Sequence, residues 1–310
     1  MGARVFCELN GLSLHRLDVE NVRRPNRPFN NYGGNNFWPA PEGGPFGFNY
    51  EGDTWRVQSA INDEPFVLEA ASGTTARARK RVTLRNRGGV AVDVVMQREF
   101  AVVPVPELVA DLHPTAAFAY TVDDRIDVLN RVKIGEALIA CWTLEQFDAS
   151  EATISFARVR APQDAINFDF YEHPGDRIVY ATNGFFYKTD GRKRGQIGIR
   201  KDHEAEFIGF YDLGRRLLCL REIVGPPEGL YFNIADNDQP RGPFSAEDTY
   251  SIFNGDGSLG FFELETVGGA FVEDGYLKGS RLLSRTSFAL FDDAEPIERF
   301  VDCAIGIRKA

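Results

Sequence analysis

The stretch Ala76-Arg77-Ala78-Arg79-Lys80-Arg81-Val82-Thr83-Leu84-Arg85-Asn86 is followed, after Arg87-Gly88-Gly89, by Val90-Ala91-Val92-Asp93-Val94-Val95-Met96-Gln97-Arg98-Glu99-Phe100-Ala101-Val102-Val103. On the first arm Ala78, Lys80, Val82 and Leu84 alternate with Arg77, Arg79, Arg81, Thr83 and Arg85, the period of two that belongs to a half-buried strand. On the second, Val92, Val94 and Met96 alternate with Asp93, Val95, Gln97 and Glu99. A three-residue loop pairs Thr83 with Asp93, Arg77 with Glu99 and Val82 with Val94, polar on polar and apolar on apolar. A loop of two or four residues would put the faces out of step, and the Gly pair supplies a left-handed position. The arginine stripe is then a solvated outer face balanced by Asp93 and Glu99 rather than an anion site.

The same signal extends outward from this hairpin. Strand-like runs are read at 3–9 and 12–19 around Asn10-Gly11, at 54–58 and 65–70, and then at 125–134, 137–147, 153–160, 176–181, 195–200, 206–212, 215–223, 229–234, 248–253, 259–267 and 280–291. Short strands at such regular spacing predict an all-β sandwich or barrel. A helix is expected only over 293–306, with Pro296 in its first turn and Ile297, Phe300, Val301 and Ala304 on one face. Large β-sandwiches form as one unit at this length, so residues 1–310 are expected to make a single domain.

Charge narrows the partners. With 35 Lys and Arg against 45 Asp and Glu, the net charge of -10 argues against nucleic acid and against an anionic membrane surface, both of which need clustered cations. There is no run of about eighteen apolar residues to span a bilayer. The first twenty residues carry Glu8, His15, Arg16, Asp18 and Glu20, unlike the apolar core of a secretory signal, and the compartment and oligomeric state are left open. Cys7, Cys141, Cys219 and Cys303 lie far apart in mostly apolar settings, which reads as buried free thiols rather than a disulfide framework or a zinc site.

Two places hold candidate chemistry. In 259–267, alternation puts Phe261, Glu263, Glu265 and Val267 on one face, the two acids about 7 Å apart along the backbone at roughly 3.4 Å per residue. On a concave, partly dry face, one such acid would hold its proton while the other ionised, the arrangement of general acid/base chemistry; alternatively, arginines of neighbouring strands neutralise both. The second place is 33–50, where rings, prolines and glycines show neither helical nor strand periodicity and predict a shaped loop. Trp38, Phe37, Phe46, Phe48 and Tyr50 could present flat faces to a sugar ring, with Asn35, Asn36 and Glu42 bonding its hydroxyls; alternatively, the rings plug the end of a sandwich.

No cofactor or metal set is legible. Asn254-Gly255-Asp256-Gly257-Ser258 with Glu265 in twelfth place mimics a calcium loop, but its sixth position is Leu259 and no helices flank it. His15, His113, His173 and His203 lack ligand spacing, and the glycine-rich stretches lack the strand-to-helix context of a phosphate loop.

Four runs carry a resemblance: Gly33 to Gly44 with its Trp38-Pro39-Ala40-Pro41-Glu42, Ile61-Asn62-Asp63-Glu64-Pro65-Phe66, Gly195-Gln196-Ile197-Gly198-Ile199, and Phe261-Phe262-Glu263-Leu264-Glu265. In these, and in their order, nearly the whole chain resembles an uncharacterised bacterial branch of the galactose mutarotase-like, aldose 1-epimerase-related proteins. The resemblance implies a β-supersandwich, a large twisted antiparallel sandwich with a short C-terminal helix, whose concave face binds a small carbohydrate. It also implies that Glu265, in Leu264-Glu265-Thr266, is the base of anomer interconversion. The family's acid is a histidine in an Asn-His-x-Tyr-Phe-Asn-Leu-like run. Here the nearest strings are Asn183-Gly184-Phe185-Phe186-Tyr187, with Gly in that place, and Ala140-Cys141-Trp142-Thr143-Leu144-Glu145, with no histidine. The acid would then be Glu263 or Glu42, with Trp142, Arg194 and Arg56 as further contacts. A sugar-binding module without catalysis is the competing expectation.

Overall fold

The computed structural model describes residues 2–23, 30–52, 54–234 and 242–306. Its frame is a pair of antiparallel sheets. The larger has eleven strands, ten of them in the order Ile178–Tyr180, Gly184–Lys188, Thr153–Arg158, Phe207–Asp212, Leu217–Ile223, Tyr276–Leu290, Ala116–Val128, Ala91–Val103, Thr75–Arg85 and Val67–Ala71. The eleventh, Ala270–Glu273, pairs with Tyr276–Leu290 off this path. The smaller has six, in the order Ile166–Asn167, Gly195–Arg200, Asp248–Asn254, Phe261–Val267, Ala140–Asp148 and Asn35–Ala40. This is the large all-β sandwich expected.

The hairpin takes the register read from its alternation. Thr83 faces Asp93, Val82 faces Val94 and Arg77 faces Glu99, and Gly89 supplies the left-handed turn residue at φ +86°. Ala78, Lys80, Val82 and Leu84 are buried while the arginines between them are exposed. The outer charge pairing differs in one detail. Arg77 and Arg79 reach Glu69 on the adjoining strand, at 3.3 and 3.7 Å, because that edge strand brings its carboxylate alongside the stripe.

Side chains from facing sheets meet in a ring-rich core. Phe147 and Phe262 of the smaller sheet stack at 5.4 Å, and Phe210 of the larger packs against them at 4.8 and 5.0 Å. Such buried aromatic clusters combine large apolar area with edge-to-face contact, and truncating one ring costs about 3–5 kcal/mol. The helix Glu295–Ala304 lays Ile297, Phe300, Val301 and Ala304 against Phe156, Phe207 and Leu220 of the larger sheet.

Several expectations are corrected. The shaped loop at 33–50 is in part a strand: Asn35–Ala40 forms the edge of the smaller sheet and pairs with Ala140–Glu145. It shows no alternation because both of its faces are buried. Gly33 and Gly34, at φ +86° and +74°, lead into it, and a Cβ on Gly33 would lie 2.1 Å from the Arg16 carbonyl oxygen. Residues 24–29, which precede this stretch, lie outside the described residues. The strand read at 125–134 is Ala116–Val128, its polar half hidden by a run of mixed residues, and Gly184–Lys188 is a further strand. The run 229–234 contributes only a bridge from Leu230 to Ala270, and the opening pair shortens to Glu8–Leu9 and Leu12–Ser13. Cys303 is exposed on the helix, whereas Cys141 and Cys219 are buried.

Candidate functional site

Cross-strand register decides which side chains share a face of the smaller sheet. Glu265 lies between Leu144 and Ser251, and Glu263 between Gln146 and Phe253. Trp142 stands opposite both Trp38 and Val267, Leu144 opposite Asn36, and Gln196 opposite Phe253. Residues directly opposite one another in a ladder project to the same side. Of these, Glu263, Glu265, Trp38, Trp142, Asn36, Leu144, Gln146, Gln196 and Phe253 floor one cavity of about 330 Å³ on the side away from the larger sheet. Glu42, Arg194, Tyr171 and Arg16 stand in its walls.

The two floor carboxyls are held by neutral donors. The Trp142 indole Nε1–H donates to Glu265 at 3.1 Å, and the Gln196 amide donates to it at 3.0 Å and to Ser251 Oγ at 2.9 Å. The Gln146 amide donates to Glu263 at 2.6 Å. Arg16 bonds the far end of Gln146, at 3.2 Å, and Asp18, at 2.8 Å. The cations expected from neighbouring strands thus stop one residue short of the acids. With no cation in contact, burial dominates: it pushes the Glu263 carboxyl up to about 7, with the charge of Glu42 adding to the rise. Glu265 is raised as well, by burial and then by the charge of Glu263. Glu42 is half-buried, accepts a bond from the Trp55 indole at 2.9 Å, and is also raised by burial.

The structure brings together seven of the nine residues proposed from the sequence: Glu263, Glu265, Trp38, Glu42, Asn36, Trp142 and Arg194. Trp38 and Trp142 meet edge to face at 5.8 Å. Arg194, exposed at the mouth, lies 6.0 Å from the Tyr171 ring and 5.7 Å from the Phe253 ring. Asn35 and Arg56 lie elsewhere. Odd-even parity turns Asn35 to the opposite face, where it accepts from Arg98 at 2.7 Å and donates to Tyr120 at 3.1 Å. Arg56 is at the surface, paired with Glu51 at 2.9 Å. The rings of the 33–50 stretch divide likewise: Trp38 lines the cavity, whereas Phe37 and Phe48 are core residues and Tyr50 lies under Arg87. Gln146, Gln196, Arg16, Tyr171 and Phe253 were not singled out from the sequence. Gln146 had a signal, since it shares the parity of Trp142 four residues earlier.

The opposite face of the same sheet carries a third buried glutamate in different company. Glu145 accepts from Arg221, from Tyr120, from His15 Nε2 at 2.7 Å and from Thr286 at 2.8 Å. The Cys7 backbone N–H donates to His15 Nδ1 at 3.0 Å, which places the ring proton on Nε2. Burial works to raise the Glu145 carboxyl, but the Arg221 charge and the His15 and Tyr120 bonds overcome it and hold it down at about 2. Arg221 also donates to Thr266 at 3.0 Å, the neighbour of Glu265 on the other side of the strand.

Residues 11–274 match a family of unknown function, DUF6786. No curated protein matches the sequence. Among solved structures, the chain is similar to a putative aldose 1-epimerase from Escherichia coli K12, with 13% identity, a TM-score of 0.45, and coverage of 82% of this chain and 83% of that one. It is also similar to a galactose mutarotase-like protein from Lactobacillus casei, with 8% identity, a TM-score of 0.44, and 90% and 89% covered. A third is a galactose mutarotase related enzyme from Lactobacillus acidophilus, with 10% identity, a TM-score of 0.39, and 76% and 74% covered.

Proposed function

The chain belongs to the DUF6786 family, and we propose that it binds an aldose in the cavity over Glu263 and Glu265 and interconverts the sugar's anomers. One observation carries the reading: two buried carboxyls stand two residues apart on a cavity floor, held only by neutral donors, and burial raises both. The pocket's size suits a monosaccharide, and the faces of Trp38 and Trp142 offer apolar surface to the C–H side of a sugar ring.

Anomer interconversion needs a base and an acid at once. The base takes the proton of the anomeric hydroxyl, the acid delivers one to the ring oxygen, and the C1–O5 bond breaks to give the open aldehyde. Rotation about C1–C2 and the reverse transfers close the other anomer, so both carboxyls return to their starting states. The resemblance assigns the base to Glu265. With Glu265 as base, Glu263 on the same floor is the acid; both are buried, at 1% and 7% exposed. This pairing takes the place of the histidine acid that the sequence lacks; His15 sits on the other face, bonded to Glu145.

The competing reading, a sugar-binding module without catalysis, is supported by how fully the Trp142 and Gln196 donors occupy Glu265. Anomer exchange followed by NMR over a panel of aldoses separates the two. Acceleration that falls about 10²–10⁴-fold in Glu265→Gln and in Glu263→Gln supports catalysis. Binding with no acceleration by the wild type supports the module.

A further inference from the structure

Resting on the reading of Glu263 as the acid of the floor pair, we propose that Arg16 is its positioning residue. By gripping the oxygen end of the Gln146 amide, Arg16 turns the amino end to Glu263 and leaves the acid's proton free for the ligand. Arg16 itself bonds neither floor carboxyl among the described residues.

The orientation follows from donor chemistry. A guanidinium carries only donors, so the end of an amide that it bonds is the oxygen. Arg16 Nη1 donates to Gln146 Oε1 at 3.2 Å, and Gln146 Nε2 is then the atom that meets Glu263 Oε1, at 2.6 Å. Reversed, the amide would set its carbonyl against Glu263 and accept the acid's own proton, tying up the group that has to protonate the sugar's ring oxygen. In the orientation seen, Oε1 accepts from the amide and the proton belongs on Oε2, which has no hydrogen bond among the described residues.

Arg16 is held to this contact from several sides. Its backbone N–H donates to the Gln146 carbonyl at 3.0 Å, which sets the two residues side by side, and its carbonyl accepts from the Gly34 N–H at 3.0 Å. Asp18 accepts from its Nη2 at 2.8 Å, Asn31 Oδ1 accepts from Nη1 at 3.3 Å, and the Phe261 ring lies 4.6 Å from the guanidinium. A side chain fixed in this way can in turn fix the amide.

Arg16 also acts on Glu263 by charge. The other titratable groups that share the cavity with Glu263 are Glu265 on its own strand and, from the walls, Glu42, Arg194, Asp18 and Tyr171. Charge acts whether or not Gln146 is present, whereas the turned amide acts only through it. A double-mutant cycle separates the two effects.

The experiment follows the side-chain carboxyl carbon of Glu263 by 13C NMR against pH in the full chain, assigned with Glu263→Gln. It compares the wild type with Arg16→Met, Gln146→Met and the double variant. Arg16→Met frees the amide to reverse, and Glu263 is expected to hold its proton about tenfold more tightly. With Gln146→Met already in place, the same substitution should change that affinity about threefold or less. Arg16→Lys, which keeps a donor-only cation, should return the titration toward that of the wild type. Equal shifts in both backgrounds overturn the inference, because charge alone then accounts for Arg16. A second reading needs no variant at Arg16 or Gln146 to fold: in the wild type, a Gln146 side-chain N–H proton should move in 1H–15N spectra as Glu263 ionises. An amide that ignores that titration overturns the inference as well. None of these readouts uses a sugar, so a wild type that accelerates no anomer exchange overturns the aldose reading while the titrations still decide how the amide is turned. Acceleration whose pH profile shifts in Arg16→Met and returns in Arg16→Lys supports both.

Discussion

The two faces of the six-stranded sheet carry the same residue type to opposite ends. On the face toward the larger sheet, Glu145 is locked to Arg221, His15, Tyr120 and Thr286, and its carboxyl is held down at about 2. On the cavity face, Glu263 and Glu265 meet amides and an indole, and their carboxyls rise. Burial is common to all three. What separates a structural acid from a candidate catalytic one is whether a cation came inside with it. A paired buried carboxylate is inert and keeps its charge; one held by neutral donors is left with a proton equilibrium near neutral pH.

The strongest way to break this contrast is to remove the cation. Arg221→Met leaves Glu145 buried and uncompensated, and urea unfolding should show a loss of about 3–5 kcal/mol. A loss near zero would mean that the inner face is not held by its ion pair. The pH dependence of stability sharpens the same contrast. The folded Glu263 carboxyl is raised from 4.5 to about 7, so the native state binds that proton more tightly than the unfolded chain does. Its contribution is full below about 4.5 and is lost as pH rises through about 7. Glu145 runs the other way: its contribution is present above 4.5 and is lost as pH falls toward 2. Urea midpoints at pH 5 and pH 8 should therefore fall less with pH in Glu263→Gln than in the wild type. An unchanged pH response in that variant would place Glu263 in ordinary solvent.

A smaller effect is expected from Trp38→Phe, which keeps a ring on the cavity floor but loses indole area. Sugar affinity measured by calorimetry should drop by about 0.5–1.5 kcal/mol. Smallest of all is Arg79→Ala on the hairpin's outer face. Its pairing with Glu69 at 3.7 Å is exposed, and its effect on the urea midpoint should lie within about 0.5 kcal/mol. A large effect there would contradict the reading of that stripe as a solvated face.

The hairpin at 75–103 was legible because a period of two on each arm and a three-residue loop admit one register, and the pairs Thr83–Asp93 and Val82–Val94 occur as that register requires. The C-terminal helix was legible for a similar reason, its apolar residues falling on one side. Parity along 261–267 was enough to put Glu263 and Glu265 on one face. The edge strand Asn35–Ala40 was not legible: it is buried on both sides, contains Pro39, and pairs with a partner about a hundred residues away. Reading it as a loop placed Asn35 beside Asn36 in a site, where a strand sends them to opposite faces. Gln146 and Gln196 carried little signal because a glutamine is an ordinary surface residue until folding sets a buried carboxylate opposite it.

Local patterning, then, settled what depends on neighbours in the chain: the β class, the best hairpin and its register, the closing helix, and the side-by-side acids at 263 and 265. Tertiary structure alone decided what depends on strands distant in sequence. It chose which face of the smaller sheet is open and which is sealed. It brought Arg221 to Glu145, with Arg16 stopping at Gln146 short of Glu263. The physical reason is that a carboxyl's proton affinity is set by the few groups within hydrogen-bonding reach, and in an antiparallel sandwich most of those come from other strands.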